Sequence, residues 1–453
     1  MLKLRDTLTG EKRELVPIAN EVRLYVCGIT PYSEAHLGHA LFSIVFDVLR
    51  RYLEWRGFGV RHIQNFTDID DKLIERANET GASVADLAER HSDAYMTQLG
   101  NLNVLPATEY PRATEEIPNI IAFIAGLVTK DVAYTSGGDV YYRVREKDDY
   151  GKLSKRDVND LRSGIRVDLS ELKNDPLDFA LWKSAKPGEP YWESPWGPGR
   201  PGWHIECSAM AMNALGEQID IHGGGSDLIF PHHENEIAQS ESFTGKTPFA
   251  NIWMHNALLT LEEEKMSKSL GNLVSIDEVL DAYGPDALRM FIVTSHYRSP
   301  ITFSEEALEA AQAGAERLRQ AAFSKSITTG QSLDPTEIRE RFTEVMDDDL
   351  NTPQALAALF DLARAINRAH DAGNDTREAQ STLRELASVL GFTLLNPTNR
   401  DENAAPFVDL LVELRSELRT ARQWELADKV RDNLVELGIE LQDGPDGTDW
   451  SFQ

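Results

Sequence analysis

The sequence predicts an α/β fold in which a parallel-sheet domain is split by an insertion and followed by helical segments. Residues 22–26 and 60–66 are apolar enough for buried strands, and residues 41–53 are apolar at helical spacing. Strand, helix and strand in this order open a parallel sheet, whose ligands bind at the carboxyl ends of the strands. Beyond Ser304 the pattern is almost wholly helical. We therefore expect a Rossmann-like α/β domain, then a helical bundle and a small C-terminal α+β domain.

The chain length of 453 residues indicates several domains. Residues 108–203 break the α/β rhythm with a helix-like stretch at 117–129, a strand-like stretch at 139–144 and a Pro-rich segment that can hardly be helical. The predicted domains are 1–107 and 204–303 for the two halves of the parallel-sheet domain, 108–203 for the insertion, 304–396 for the bundle and 397–453 for the C-terminal domain.

The second half of the parallel-sheet domain contains further local signals. We expect a strand at 218–222, three glycines after it, and a helix that Pro231 opens. Another strand is expected at 251–261, and Ser275 with Glu278 forms a capping box. Later helix starts are predicted at Asp334-Pro335 and Thr352-Pro353, later helices at 406–422 and 424–437, and a closing turn at 443–447.

Composition narrows the class of protein. The formal net charge of -28 argues against a general electrostatic footprint for nucleic acid. The sequence contains no membrane span and no signal-peptide core, so we expect a cytoplasmic protein. Its only two cysteines, Cys27 and Cys207, lie about 180 positions apart, which makes a disulfide improbable. They are either buried apolar side chains or reduced ligands.

Two short motifs indicate phosphate chemistry. The segment from His36 to His39, His-Leu-Gly-His, stands where a strand meets a helix, so its amides can face phosphate and Gly38 permits close approach. Alone, the two histidines could equally cap the helix. The segment Lys-Met-Ser-Lys-Ser offers the ammonium groups of Lys265 and Lys268 on a loop that can close over pyrophosphate, although alone it could be a solvated loop.

In this order, about 230 residues apart, the two motifs resemble the paired signatures of class I aminoacyl-tRNA synthetases, with Leu37 where isoleucine is usual. The resemblance implies that the chain activates an amino acid as its adenylate. It also implies catalytic roles for His36, His39, Lys265 and Lys268.

A metal site is suggested more weakly by the residues themselves. On a helix opened by Pro231, His232 and Glu236 would share a face. Together with Cys27 and Cys207 they are acceptable Zn²⁺ ligands, but such dispersed spacing is not a zinc signature. Spacing alone leaves the cysteines unassigned.

Longer segments are similar to cysteinyl-tRNA synthetases. They are Tyr-Val-Cys-Gly at 25–28, Asn-Phe-Thr-Asp-Ile-Asp-Asp-Lys at 65–72, Pro-Gly-Trp-His-Ile-Glu-Cys-Ser at 201–208, His-Gly-Gly-Gly-Ser-Asp at 222–227 and His-His-Glu-Asn-Glu at 232–236. The resemblance implies one zinc ion per chain, held by Cys27, Cys207, His232 and Glu236, that binds the thiol of the substrate L-cysteine. Because zinc prefers a thiolate to a hydroxyl, no editing domain is required.

The resemblance also assigns the other partners, which are ATP with Mg²⁺ and cysteine tRNA, and it implies a monomer. It places ATP at Thr30, Gly38, His39, Gly224, Asp227 and Lys268, and cysteine at Gly28, Thr67, Trp203 and His222. It places tRNA at Arg419, Trp424, Asp428, Arg431 and Asp443. Three residues depart from the family's common pattern: Ser33, Leu41 and Ala257.

Purely structural roles remain as alternatives for the C-terminal residues. Trp424 could belong to a core and the arginines to a solvated face, since residues 401–453 hold five Lys or Arg against thirteen Asp or Glu. Two rival functions also remain. One is the cysteine:amino-sugar ligase of mycothiol synthesis, which is shorter and lacks an anticodon domain. The other is a non-catalytic RNA-binding or regulatory paralogue.

Overall fold

The computed structural model describes residues 1–158, 172–261, 274–395, 397–437, 439–444 and 447–452. The chain divides into two compact units, Met1–Thr393 and Leu394–Gln453, which we call the first and second units. Strands of the first unit are β1 (Lys3–Asp6), β2 (Glu11–Glu14), β3 (Glu21–Ile29), β4 (Gly59–Phe66), β5 (Ala133–Ser136), β6 (Asp139–Tyr142), β7 (Phe179–Ser184), β8 (Gly199–Pro201), β9 (Ile219–Gly225), β10 (Ala250–Asn256), β11 (Leu259–Leu261) and β12 (Ile301–Phe303).

Twelve α-helices lie in the described part of the first unit. They are α1 (Leu37–Trp55), α2 (Asp71–Thr80), α3 (Val84–Asn101), α4 (Ile117–Thr129), α5 (Trp203–Leu215), α6 (Glu234–Thr244), α7 (Ile276–Tyr283), α8 (Pro285–Val293), α9 (Glu305–Phe323), α10 (Thr336–Asp347), α11 (Thr352–Asp371) and α12 (Arg377–Val389). The second unit contains α13 (Pro397–Thr420), α14 (Trp424–Glu436) and the antiparallel hairpin of β13 (Ile439–Gly444) and β14 (Gly447–Phe452).

The central sheet is parallel, as predicted, with the strand order β10, β9, β3, β4. Because parallel strands leave the sheet at the same edge, the carboxyl ends of all four strands meet there. Strand β3 continues through Cys27 to Ile29 with an irregular register beside β4, so Cys27 lies inside the strand rather than at its end. The predicted α/β class is confirmed.

The insertion contains helix α4 with the bounds that the sequence predicted. Its strands form a second, antiparallel sheet in the order β5, β6, β7, β8. Helices α9 to α12 form the bundle, and the predicted capping box of α7 is present, with Glu278 N bonded to Ser275 Oγ at 3.1 Å and Ser275 N to Glu278 Oε2 at 2.9 Å.

One prediction near β9 is wrong and one holds. The glycines from 223 to 225 belong to the strand itself rather than to a loop after it, and Phe46 and His233 leave no room for a Cβ at Gly223 and Gly224. Helical backbone does start at Pro231, directly after the kink at Phe230. The short π-helical stretch Ile229–His233 then continues into α6, which begins at Glu234.

Other boundaries differ by less. The predicted strand at 251–261 is interrupted, so that β10 ends at Asn256 and β11 starts at Leu259. Helix α13 begins at Pro397 and continues through Pro406, which was predicted as a helix start. The antiparallel hairpin of β1 and β2 was not predicted, since its two strands have four residues each and are mostly polar.

A buried ion pair joins α1 to α8. Arg289 Nη2 lies 2.7 Å from Asp47 Oδ2, and both side chains are fully buried. The guanidinium also donates to the carbonyl oxygens of Leu102, Asn103 and Leu390 at 2.6, 2.6 and 3.2 Å. Such a charge is tolerated inside a protein because each of the three guanidinium nitrogens has an acceptor and one of the acceptors is a carboxylate. The pair therefore fixes the helix that follows the His-Leu-Gly-His motif against the helical part of the first unit.

Candidate active site

Ionisable and sulfur-bearing side chains converge at the carboxyl edge of the central sheet. Cys27 comes from β3, His222 from β9 and His255 from β10, while Asn65 is at the end of β4. Each of these four side chains is less than 10% exposed. Parallel α/β sheets bind ligands at this edge, and the polar cluster inside the core is the candidate active site.

The four residues predicted to bind zinc meet in this cluster. One donor atom from each of Cys27, Cys207, His232 and Glu236 lies within 4.8 Å of the others, and all four residues are buried. Glu236 Oε1 lies 3.4 Å from Cys27 Sγ and 3.1 Å from His232 Nε2. His232 and Glu236 approach each other because the helical backbone that starts at Pro231 continues into α6 and keeps their four-residue spacing on one face.

The electrostatics of the quartet favour a cation. Burial alone would raise the pKa of Glu236, but the imidazoles of His222 and His232 lower it to about 2. Burial alone would lower the pKa of His232, but the sulfur of Cys207 and the carboxylate of Glu236 raise it to about 10. A hydrogen bond from Cys27 lowers the pKa of Cys207 to about 6, whereas burial raises that of Cys27. The cluster thus holds negative charge in the core, where an uncompensated anion is costly.

The donor chemistry of the quartet fits Zn²⁺. Two thiols, one imidazole and one carboxylate are all ligand types that zinc accepts, and four is its usual number. A second quartet, formed by Cys27, His222, His233 and Glu236, also has donor atoms within 4.8 Å of one another. It contains one thiol, whereas the predicted quartet contains both of the chain's cysteine thiols and so suits a metal that prefers soft ligands.

His222 is fixed beside the quartet by two contacts. Its Nε2 lies 2.9 Å from Glu236 Oε2, and its ring stacks on Trp253 with centroids 4.4 Å apart and an interplanar angle of 21°. With the Glu236 carboxylate as acceptor, His222 donates through Nε2 and carries a lone pair on Nδ1. That buried Nδ1 has no hydrogen-bond partner among the described residues. His222 therefore offers an acceptor next to the metal donors.

The other residues predicted to bind cysteine surround the same cluster. Trp203 begins α5 and its ring lies 4.4 Å from that of His232. Thr67 is buried, and its hydroxyl accepts from Asn65 Nδ2 at 3.3 Å. Gly28 N donates to Asn65 Oδ1 at 2.9 Å, and a Cβ at Gly28 would come within 1.6 Å of the Asn65 carbonyl oxygen. Gly28 is thus required by strand packing, whatever its role towards substrate.

The His-Leu-Gly-His motif begins α1 and makes a reciprocal cap. His36 is the N-cap residue rather than a helical one, and its Nδ1 accepts from Gly38 N at 3.1 Å. His39 Nδ1 in turn accepts from His36 N at 3.1 Å. The two rings lie 4.0 Å apart between centroids. The capping alternative is therefore correct as a structural role, and it fixes the proton of each ring on Nε2.

The remaining residues predicted to bind ATP occupy the same edge of the sheet or lie outside the described residues. Thr30 follows β3, and Asp227 is in the short turn Ser226–Leu228 after β9. Gly224 packs against the ring of His233, with 2.7 Å between a hypothetical Cβ and His233 Cε1. Lys265 and Lys268 lie outside the described residues.

The departures from the family pattern do not touch the metal quartet. Leu41 is 2% exposed and belongs to the core face of α1, and Ala257 is 9% exposed beside Tyr297, whose carbonyl accepts from Ala257 N at 2.8 Å. Ser33 is near the surface, where its hydroxyl donates to the carbonyl of Glu34 at 3.3 Å.

Residues predicted to contact tRNA are in the second unit. Trp424 begins α14 with 56% of its surface exposed, so it is not the core residue that the alternative interpretation allowed. Arg431 pairs with Asp428 at 3.4 Å and with Asp432 at 2.9 Å, and Arg419 is in the last turn of α13. Asp443 is in β13, and its side chain lies outside the described part of the chain.

Several residues of the cluster were not singled out from the sequence. Tyr25 is two positions before Cys27 on β3 and therefore on the same face, a signal that strand periodicity could have provided. Burial and the two nearby sulfurs raise the pKa of Tyr25 well above its usual value. His204, His233 and His255 carry no such local signal, since their contacts are made between separate elements: His204 with His232, His233 with Cys27, and His255 with His233.

Known proteins similar to this chain match it over its whole length. Residues 14–313 match the family described as tRNA synthetases class I (C) catalytic domain, and residues 341–395 match the DALR domain. A cysteine--tRNA ligase of Dehalococcoides mccartyi is 54% identical, with 100% of each chain covered. Those of Azotobacter vinelandii and Desulfitobacterium hafniense are 48% and 46% identical, with 99% and 100% of each chain covered.

Solved structures support the fold. The Mycobacterium tuberculosis methionyl-tRNA synthetase in complex with methionyl-adenylate has a TM-score of 0.60 at 16% identity, covering 86% of this chain and 94% of its own. The leucyl enzyme in the ternary complex of Agrobacterium radiobacter K84 agnB2 LeuRS-tRNA-LeuAMS has a TM-score of 0.59 at 12% identity, covering 86% of each chain. At such identities the likeness concerns the fold alone. By the identity and full coverage of its relatives, the chain belongs to the cysteine--tRNA ligase family of class I aminoacyl-tRNA synthetases.

Proposed function

We propose that this chain joins L-cysteine to cysteine tRNA, using ATP to form cysteinyl-adenylate and pyrophosphate. One observation carries the proposal: the chain has only two cysteines, and both are buried in one quartet with a histidine and a glutamate at the substrate edge of the sheet. Within a family of amino-acid-activating enzymes, a soft-metal site at this edge is suited to a thiol substrate.

Cys27, Cys207, His232 and Glu236 would hold a single zinc ion. When bound, zinc supplies a Lewis acid that prefers sulfur to oxygen and lowers the pKa of a thiol. The protein residues supply the rest of the pocket. His222 offers its Nδ1 lone pair to a donor of the substrate, and Glu236 keeps the His222 ring in that orientation. Trp203 covers His232, while Thr67 and Gly28 form the wall that Asn65 braces.

Activation requires that the cysteine carboxylate attack the α-phosphate of Mg²⁺-bound ATP. In the proposal, His36 and His39 donate from Nε2 to the reacting phosphate oxygens, since their Nδ1 atoms are already used as acceptors. Such preorganised donors lower the barrier where negative charge develops. Lys265 and Lys268 neutralise the departing pyrophosphate, and Thr30, Gly38, Gly224 and Asp227 complete the ATP site.

Transfer to tRNA follows activation. The 2′-hydroxyl of the terminal adenosine attacks the adenylate carbonyl and AMP leaves. Arg419, Trp424, Asp428, Arg431 and Asp443 are proposed to read unpaired tRNA bases. Exposure of Trp424 supports a stacking role, because base stacking on an aromatic ring needs an accessible face. The acidic surroundings of these residues mean that recognition there would rest on specific contacts rather than net charge.

The proposal extends to a monomer, as the resemblance implies, and to the cytoplasm, as the sequence led us to expect. In the part of the chain that the structure describes, no helix is both long and apolar enough to cross a membrane. Light scattering during size-exclusion chromatography measures the mass directly, and a mass near twice 50.7 kDa would contradict the monomer.

The mycothiol ligase is not favoured, since cysteine--tRNA ligases match the chain over 100% of its length.

Aminoacylation with labelled cysteine tests the function. The purified chain with ATP, Mg²⁺ and a tRNA bearing a cysteine anticodon should form acid-precipitable cysteinyl-tRNA. A tRNA with its anticodon bases replaced is the matched control and should be charged far less. Formation of cysteinyl-adenylate without charging of any tRNA would contradict the proposal and point to another acceptor.

A further inference from the structure

A continuous chain of hydrogen bonds connects the N-terminal hairpin to one of the proposed zinc ligands. Thr7 Oγ1 lies 2.8 Å from His255 Nδ1, and His255 Nε2 lies 2.8 Å from His233 Nδ1. His233 Nε2 then lies 3.3 Å from Cys27 Sγ. None of Thr7, His233 and His255 belongs to the proposed quartet. This series of hydrogen bonds therefore reaches the metal site through residues that are not metal ligands.

The direction of donation along this series of hydrogen bonds is set at the sulfur of Cys27. A metal-bound thiolate has only lone pairs to offer, so His233 must donate to Cys27 from Nε2. His233 Nδ1 is then an acceptor and takes the proton of His255 Nε2. By the same reasoning His255 Nδ1 accepts, and the hydroxyl of Thr7, 2.8 Å away, is placed to donate to it. The sulfur thus sets the tautomer of both histidines, and the Thr7 hydroxyl, which can donate or accept, completes the series as its donor.

Thr7 is held firmly enough to act in this way. Its backbone N donates to the Trp253 carbonyl at 2.9 Å, and Trp253 N donates to Asp6 Oδ1 at 3.0 Å. Asp6 is fully buried and also accepts from Leu8 N and Thr9 N at 3.1 and 3.0 Å. The turn after β1 is therefore tied to β10, the strand that carries His255. The hydroxyl is placed by backbone contacts that do not depend on its own hydrogen bond.

His233 is confined from its other side. The ring is fully buried, and Gly224 approaches it so closely that a Cβ there would lie 2.7 Å from Cε1. A ring held between Gly224 and His255 can tilt little. Its remaining freedom is the choice of which nitrogen carries the proton.

We propose that Thr7, through His255 and His233, keeps an N–H donor aimed at the sulfur of Cys27 and thereby positions and tunes that zinc ligand. This inference rests on the proposed function. An N–H···S bond fixes the direction of the thiolate lone pairs and withdraws charge from sulfur, as partners outside the coordination sphere do for other metal ligands. Thr7 is a positioning residue, because it touches neither substrate nor metal.

The test removes the hydroxyl of Thr7 and keeps the shape of the side chain. In Thr7→Val the buried Nδ1 of His255 loses its donor, which weakens the polarised series of hydrogen bonds that supports the His233 N–H on the sulfur of Cys27. We expect zinc affinity, measured by competition with a chromophoric chelator, to fall about tenfold, the lower end of the range for outer partners of a metal ligand. Thr7→Ser should restore it. Thr9→Val is the matched control, since Thr9 Oγ1 is in the same turn but accepts only from Glu11 N, at 3.3 Å.

Cobalt substitution gives a readout that general destabilisation would not produce. Without the N–H···S bond the sulfur lone pair rises in energy, so the thiolate-to-cobalt charge-transfer band should move to longer wavelength in Thr7→Val and return in Thr7→Ser. Wild-type affinity and band position in Thr7→Val would overturn the inference, as would failure of Thr7→Ser to differ from it. A wild-type chain that binds no zinc would instead contradict the proposed function itself.

Discussion

His36 and His39 each accept a backbone amide hydrogen at Nδ1, and their ring centroids lie 4.0 Å apart. The arrangement joins two roles that the sequence left as alternatives, a helix cap and a phosphate donor. Because the cap uses Nδ1, it leaves the proton of each ring on Nε2. The helix cap therefore leaves on each ring the Nε2 proton that the proposed phosphate donor needs.

The two roles can be separated at His39. In His39→Asn the amide oxygen can still accept from His36 N, but the distant N–H donor is lost. We expect kcat for cysteine-dependent ATP–pyrophosphate exchange to fall about 10² to 10³-fold, as for removal of one transition-state donor, with little change in melting temperature. His39→Ala, which loses both roles, should lower the melting temperature as well. Exchange at the wild-type rate in His39→Asn would contradict the donor role.

Acid sensitivity should depend on His62. Its side chain is buried, neither ring nitrogen has a hydrogen-bond partner among the described residues, and burial together with the charge of Arg50 lowers its pKa from 6.5 to about 3. The unfolded chain therefore binds more protons than the folded chain between these values, so stability falls as pH falls from about 6.5 towards 3. At pH 5 this group costs about 2 kcal/mol relative to neutral pH.

His62→Leu should accordingly lose less stability than wild type between neutral pH and pH 5. Denaturant unfolding at both pH values measures the difference. An unchanged pH dependence in His62→Leu would show that other groups cause the acid sensitivity.

The buried pair of Asp47 and Arg289 should dominate the stability of the first unit. Asp47→Asn leaves the guanidinium in the core without its carboxylate, which costs about 3 to 5 kcal/mol in free energy of unfolding. The double variant Asp47→Asn with Arg289→Met removes the stranded charge and should recover part of that loss. Urea unfolding of the full chain measures both.

The matched control is Asp348→Asn, which breaks the exposed pair with Lys12, whose two side chains are 58% and 38% exposed. Exposed pairs contribute about 0 to 1 kcal/mol, so this variant should unfold almost like wild type. Equal effects of Asp47→Asn and Asp348→Asn would disprove the importance of burial.

Much of the fold was predictable because its signals are local. The apolar periodicity of α1 and α4, the strands β3 and β4, and the Ser275 cap depend on neighbouring residues. Predictions were wrong where packing overrides local preference. The three glycines after Ile221 and His222 were predicted as a loop but belong to β9, where Phe46 and His233 occupy the space that side chains at Gly223 and Gly224 would need.

The site was predictable in part for the same reason. His232 and Glu236 are close in sequence, but Cys27 and Cys207 required the family resemblance to be joined to them, since they come from separate elements. The series of hydrogen bonds from Thr7 through His255 and His233 to Cys27 could not be predicted. Its members lie up to 248 positions apart and meet only when the turn after β1, strand β3, the stretch before α6 and strand β10 have assembled.

Cysteine-dependent ATP–pyrophosphate exchange, measured together with zinc content, tests the central claim most directly. The purified wild-type chain should contain one zinc ion and catalyse exchange with cysteine but not with serine, and a chelator should abolish exchange until zinc is restored. Cys207→Ala should lose both zinc and exchange. Retention of zinc and exchange at wild-type levels in Cys207→Ala, or absence of cysteine-dependent exchange in the wild-type chain, would contradict the account.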